Sequence, residues 1–109
     1  MTINNDEVKQ TIQKLTEIIP QIRNIDITVM VKRDHYPKCE ELRKVLNSLS
    51  KVNVFIYDPD YYNYFTDYSK AIEHKQPKKD LDNKLRLCKT HLLHDVLHHI
   101  GTLQEVKTA

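Results

Sequence analysis

The chain has 109 residues, of which 39% are hydrophobic and 29% are charged. This length and composition predict a single globular domain that spans residues 1–109. The 17 basic side chains nearly balance the 15 acidic ones, so a formal charge of +2 does not indicate nucleic acid or an anionic membrane as the partner. The longest apolar run, residues 54–57, is far shorter than the ~20 residues of a membrane-spanning helix, so we expect no membrane segment.

The cysteines and the N-terminus predict a compartment. Cys39 and Cys88 are the only two cysteines, and the first ten residues are polar, which is not typical of a secretory signal. We therefore expect a cytoplasmic protein with reduced thiols. The single glycine, Gly101, leaves few sites for tight turns and favours helices.

A helix and a strand are predicted in the first third of the chain. Apolar residues recur at helical spacing over residues 8–19, which predicts an amphipathic helix ending near Pro20. Residues 25–32 are rich in β-branched side chains. Every odd position carries an apolar residue, and the even positions are polar except Met30. This alternation predicts a strand.

A second helix and a second strand are predicted next. Pro37 suits the first turn of a helix, and the apolar stripe that begins at Cys39 extends that helix to about Leu49. Residues 52–57 are again β-prone, so the strand, helix and strand together form one βαβ unit with parallel strands. Two strands make a poor sheet, so we expect either a further strand in residues 60–68 or 102–107, or a second subunit in a homodimer.

Two further helices complete the predicted fold. Apolar and aromatic residues recur at helical spacing from Tyr61 to Ile72, and a long helix is predicted from Asp80 to about Gly101. The fold class expected from the whole chain is α/β and rich in helices, with one βαβ unit, an N-terminal helix and two C-terminal helices.

The first half of the chain resembles thioredoxin-like and glutaredoxin-like domains. The resemblance covers residues 5–58 and rests on the order of helix, strand and helix, with Tyr36, Pro37, Lys38 and Cys39 at the start of the second helix. Family members carry a Cys-x-x-Cys motif at this place, and Tyr36 occupies the position of its nucleophilic cysteine. The resemblance implies a modified thioredoxin-like fold and, as an alternative function, a thiol oxidoreductase that uses Cys39.

A histidine-rich stretch is the candidate metal site. Four of the six histidines lie between residues 91 and 99 on the predicted last helix. Imidazole, thiolate and carboxylate groups bind zinc, and several of them share one helical face. We expect this face to be a polar helix surface without metal and therefore expect no cofactor, and a zinc site is the alternative. The candidate ligands are Cys88, His91, Asp95 and His98, with His74 as a further ligand.

Aromatic and basic residues form the candidate binding surface. Seven of the eight aromatic residues fall between residues 55 and 68, and residues 70–89 carry an excess of four positive charges. Acidic residues are interleaved with the aromatic ones, which favours a protein partner over nucleic acid. The candidate contact residues are Tyr62, Tyr64, Lys75, Lys78 and Lys79.

The motifs of common enzymes are absent from the sequence, including glycine-rich phosphate loops and the Gly-x-Ser-x-Gly turn. We therefore expect a small intracellular protein-interaction module without catalytic activity, which forms a homodimer and binds a protein partner or itself. The alternatives are the thiol oxidoreductase and a metal- or nucleic-acid-binding domain that uses residues 70–99.

Overall fold

The computed structural model describes residues 5–52 and 61–108 and shows a bundle of helices. Within these ranges there is no strand, so the predicted α/β fold class and its βαβ unit are wrong for the described residues. The elements are α1 (Asn5–Arg23), a short 3₁₀ helix (Lys32–Asp34), α2 (His35–Ser50), α3 (Tyr61–Glu73) and α4 (Lys78–Thr108).

The predicted first strand is an irregular connection between α1 and α2. Ile25 and Val29 are buried, whereas Ile27 and Val31 are exposed, so every fourth residue faces the core instead of every second one. The β-propensity of the residues alone does not form a strand, because the backbone N–H and C=O groups of a strand need a second strand to pair with. The predicted pairing segment, residues 52–57, lies outside the described residues except for Val52.

The first helix continues beyond Pro20. We predicted an end near Pro20, but α1 continues to Arg23, and the N–H of Asn24 donates to the carbonyl of Pro20 at 2.9 Å. Proline lacks an N–H and its ring crowds the carbonyl four residues earlier, but its own carbonyl still accepts a hydrogen bond from the next turn. Burial of Ile22 in the core stabilises the turn beyond it.

The predictions for α2 and α3 are confirmed. Pro37 lies in the first turn of α2, and the helix ends one residue after Leu49. The stripe from Tyr61 to Ile72 forms α3, as its helical spacing predicted. The end predicted for the last helix is wrong, because α4 continues past Gly101.

The longest helix sets the shape of the molecule. The 31 residues of α4 span about 46 Å, which matches the 48 Å long dimension of the structure. Both α1 and α3 pack against α4, and α2 packs against α1 and α3. Lys84 of α4 pairs with Asp67 of α3, and Lys89 contacts the end of α1. Thus α3 lies along the first half of α4, and α1 runs antiparallel along its second half.

The core lies between these helices. Its largest fully buried side chains come from all four helices, and leucine is the commonest residue among them. None of the helices in the described ranges is both long and apolar enough to cross a membrane. The fully buried side chains include Leu15, Ile22, Leu42, Tyr68, Leu81, Leu85 and Leu92.

Candidate functional site

An open groove with a volume of about 400 Å³ runs along the middle of α4, beside the connection that follows α1. Six of its residues lie on α4 at positions 86, 89, 90, 93, 94 and 97, which is one helical face about 16 Å long. We call this feature the α4 groove. Its lining residues are Ile27, Arg86, Lys89, Thr90, Leu93, His94 and Leu97.

Apolar side chains remain exposed in the α4 groove. Leu97 is 44% exposed and Ile27 is 37% exposed, and Met30 and Val31 on the same connection are exposed as well. Single exposed apolar residues are ordinary, but a group of them beside a groove is typical of a contact surface. The group can bury an apolar side of another molecule.

The rim of the α4 groove is basic. Arg86 and Lys89 lie on it, and among the residues that the structure describes, no carboxylate lines the groove. The ammonium of Lys89 donates to the carbonyls of Arg23 at 3.1 Å and Ile25 at 2.6 Å. Because these bonds attach the connection to α4, they fix one wall of the groove.

A buried polar network ties three helices together at the other end of the molecule. His35, at the start of α2, is fully buried. Its Nε2 lies 2.8 Å from Oδ1 of Asp82 on α4, and its Nδ1 lies 2.7 Å from the hydroxyl of Tyr68 on α3. The hydroxyl also lies 3.3 Å from the carbonyl oxygen of His35. Since an ionised carboxylate only accepts, the ring donates from Nε2.

The electrostatics of this network favour a structural role. The ammonium of Lys78, 2.8 Å from Oδ2 of Asp82, and the ring of His35 lower the pKa of the Asp82 carboxyl. Burial raises the pKa of the Tyr68 hydroxyl well above its usual value. The carboxylate therefore stays ionised and the phenol neutral at pH 7, and the network links the three helices.

The two tyrosines of the predicted binding surface differ in their surroundings. Tyr62 is 63% exposed, as expected of a contact residue. The ring of Tyr64 stacks on the ring of His91, with centroids 3.9 Å apart and an angle of 6° between the planes. One face of Tyr64 is therefore covered within the chain, and only Tyr62 remains open to a partner.

The basic part of the predicted surface lies at the opposite end of α3. Lys75 follows that end, so it is separated from Tyr62 by about 20 Å of helix. Lys78 is held by Asp82, whereas Lys79 is exposed. The five predicted contact residues thus do not form one continuous surface.

The predicted metal ligands face different surroundings. Cys88 and Asp95 are buried, His91 stacks on Tyr64, and the exposed His98 faces His94 with ring centroids 6.2 Å apart. In residues 5–52 and 61–108 no group of three or more histidine, cysteine or acidic side chains could hold a metal ion. His74 follows α3 and is exposed.

Both thiols are unsuited to nucleophilic chemistry. Cys39 and Cys88 are buried and free. Burial raises the pKa of the Cys39 thiol, and burial together with Cys39 raises the pKa of Cys88 to about 12. Since the thiolate is the reactive form, these thiols are inert at neutral pH. Position 39 lies on the core face of α2, as its place in the apolar stripe indicated.

Sequence reasoning missed most of the α4 groove. Leu97 is exposed and Leu93 is only partly buried against the core, so the apolar residues of α4 extend beyond its core-facing stripe, and this excess was an available signal. The partners of His35 had no signal, because Tyr68 and Asp82 follow it by 33 and 47 positions on two other helices.

Comparisons with models of known protein families, with curated proteins and with solved structures found no match.

Proposed function

We propose that this chain is a non-catalytic protein-binding module that holds an amphipathic helix of a partner protein in the α4 groove. One observation carries the proposal: a three-turn face of α4 lines an open groove, in which Leu97 and Ile27 are exposed beside the half-buried Leu93. Recognition of this kind uses apolar anchors at i, i+3, i+4 and i+7 of the bound helix. A groove about 16 Å long accommodates about three turns of such a helix.

The basic rim selects the polar face of the partner. Arg86 and Lys89 flank the apolar floor, so acidic residues beside the anchors suit this groove. A second copy of the chain, docked groove to groove, would bring the same cations together. We therefore propose a different protein as the occupant, and the predicted homodimer becomes an outcome of the test.

The alternatives gain less support. Two of the basic residues between positions 70 and 89 form ion pairs within the chain, since Lys78 pairs with Asp82 and Lys84 pairs with Asp67. This lowers the free positive charge available to a phosphate backbone. We propose no cofactor for helix binding, which needs only the apolar floor and the rim.

We also propose that the module acts in the cytoplasm. The two free thiols support this location, because reducing compartments keep such thiols unpaired.

The proposal can be tested with a designed peptide. The probe is a fluorescent 15-residue helical peptide with leucines at i, i+3, i+4, i+7 and i+11 and glutamates on its polar face. We expect saturable binding by fluorescence anisotropy, and weaker binding of a peptide in which lysines replace the glutamates. Equal binding of both peptides, or no binding of either, would refute the proposed occupant.

A matched pair of variants locates the binding. Leu97→Asp places a charge in the groove, whereas Leu87→Asp places it on α4 outside the groove, and both side chains are about 40% exposed. We expect Leu97→Asp to weaken binding about tenfold or more, the loss of an apolar anchor of 1.4 kcal/mol or more. Leu87→Asp should change it less than about twofold. Similar losses in both variants would place the binding elsewhere.

Light scattering on the same samples tests whether a second copy of the chain occupies the α4 groove. We expect a monomer for the wild type and for both variants. A wild-type dimer that Leu97→Asp converts to a monomer would make a second copy the occupant and contradict the proposal.

A further inference from the structure

A second cavity, of about 290 Å³, lies where the starts of α2 and α4 meet the end of α3. It has an apolar floor and a basic rim, and none of its residues belongs to the α4 groove. We call it the basic cavity. Its lining residues are Lys32, Arg33, Tyr36, Ile72, Lys75 and Leu81.

We propose that the basic cavity binds an aryl phosphate, that is, an aromatic ring that carries a phosphate group. The floor suits the ring, because Ile72 and Leu81 are buried apolar side chains. Tyr36, 57% exposed, offers a flat wall against which a ring can stack. A cavity of about 150 Å³ holds benzene, so the remaining volume has room for a phosphate.

The rim suits the phosphate. Lys32, Arg33 and Lys75 bring three positive charges to the cavity, and no carboxylate of the described chain lines it. Within the described ranges, Arg33 and Lys75 form no ion pair, so their charges are available to a ligand. The guanidinium of Arg33 can donate two parallel hydrogen bonds to phosphate oxygens, which is the geometry that favours arginine in such sites.

The backbone at Lys75 is an independent observation. Its φ is +54°, the left-handed conformation that favours glycine, and the N–H groups of residues 75 and 76 close the end of α3 onto Ile72 and Ala71. A lysine in this helix-capping turn is less stable than a glycine would be, but it sets an ammonium at the rim, which a glycine could not do.

Hydrogen bonds hold the walls of the basic cavity in place. The ammonium of Lys32 donates to the carbonyl of Lys75 at 2.9 Å, which joins the segment before α2 to the end of α3. The bond between His35 and Asp82 joins the start of α2 to α4, directly beside Tyr36 and Leu81. A site preorganised in this way loses little ordering entropy when a ligand binds.

An aryl phosphate can come from two sources. It can be a free small molecule, or it can be the phosphotyrosine of another protein. Both place the same ring and the same phosphate in the basic cavity, so the first experiment uses the shared chemistry and a second one distinguishes the sources.

The first experiment titrates the protein with phenyl phosphate and follows amide shifts by NMR. Inorganic phosphate and phenol serve as the two halves of the ligand. We expect saturable shifts around the basic cavity for phenyl phosphate, and binding at least about tenfold weaker for either half, because each half loses one set of contacts. Inorganic phosphate that binds as tightly as phenyl phosphate, or an absence of saturable shifts, would overturn the proposal.

Charge variants test the rim. Arg33→Gln should weaken phenyl phosphate binding about 10- to 100-fold, which corresponds to the loss of charge-assisted hydrogen bonds. Lys79→Gln removes an exposed charge near the start of α4 that does not line the cavity, so its effect should stay below about threefold. Equal effects would show attraction by net charge alone and would refute a site.

Lys75→Gly separates binding from folding. Glycine suits the left-handed conformation, so the variant should raise Tm by about 2–4 °C. It should also weaken phenyl phosphate binding about tenfold, because the ammonium at the rim is lost. Unchanged binding in a correctly folded variant would remove Lys75 from the site and contradict the rim described above.

A phosphotyrosine peptide and its unphosphorylated form distinguish the sources. Tighter binding of the phosphopeptide than of phenyl phosphate supports a protein source, and weaker binding supports a free small molecule. Equal binding of the phosphorylated and unphosphorylated peptides would overturn the role of the phosphate. None of these results depends on the α4 groove, so the two proposals can fail separately.

Discussion

The hydroxyl of Tyr68 should contribute measurably to stability. Tyr68 is fully buried, and Tyr68→Phe keeps the ring and its edge contact with His35 while it removes the hydroxyl that contacts Nδ1 of His35. The variant therefore changes the polar network with little change in packing volume. Its effect reports on the link between α2 and α3.

The expected loss follows from two contributions. A net hydrogen bond is worth about 0.5–1.5 kcal/mol, and leaving a buried partner without one costs about 1–3 kcal/mol. His35 Nδ1 is buried and has its 2.7 Å contact with the hydroxyl, so Tyr68→Phe should lower the free energy of unfolding by about 2 kcal/mol. For a domain of this size, that corresponds to a fall in Tm of about 8 °C.

Urea unfolding followed by circular dichroism at 222 nm measures this loss. We expect a lower midpoint with an unchanged m-value, because the surface exposed on unfolding stays the same. Tyr62→Phe is the control, since the hydroxyl of this exposed tyrosine can contact water, and its effect should stay below about 0.5 kcal/mol. If the two variants lost equal stability, the reasoning about the network would be refuted.

Three further measurements follow from the structure. Gly101→Ala should raise the free energy of unfolding by about 1 kcal/mol, because a Cβ at this helical position meets no atom within 4 Å; a loss in urea unfolding would contradict that open space. The pKa of Asp82 lies below its unfolded value near 4, so the stability it contributes is present above about pH 4 and is lost as the pH falls through the folded pKa. Asp82→Asn should therefore flatten the acid side of the stability curve measured by urea unfolding, and an unchanged acid side would show that the ionised carboxylate contributes nothing. The thiols of Cys39 and Cys88 should react with iodoacetamide only after urea unfolds the chain, and rapid labelling of the native protein would show an accessible thiol.

Local signals made α2 and α3 predictable. Pro37 marks the first turn of α2, and the stripes of both helices have the period that a buried helical face requires. The connection after α1 was not predictable in the same way. Its β-branched residues favour a strand, but a strand also needs a paired neighbour, and only Ile25 and Val29 face the core.

The candidate sites were less predictable than the helices. The histidine-rich stretch of α4 suggested a metal site only as an alternative, and two of its candidate ligands differ in exposure, since Cys88 is buried and His98 is exposed. The basic cavity depends on three parts of the chain that only folding brings together, and of its residues the sequence singled out Lys75 as a contact residue. The positive φ of that lysine accompanies the hydrogen bonds that close the end of α3 and does not follow from its residue type.

The antiparallel packing of α1 against the second half of α4 has a consequence for synthesis. Arg23 meets Lys89, 66 positions later in the chain, and the rest of α1 meets residues that are translated later still. At about 5–20 residues per second, a ribosome needs about 3–13 s to add 66 residues. During this time the apolar stripe of Val8, Leu15 and Ile22 has not yet met α4. The nascent chain is therefore a target for chaperones until its last helix emerges.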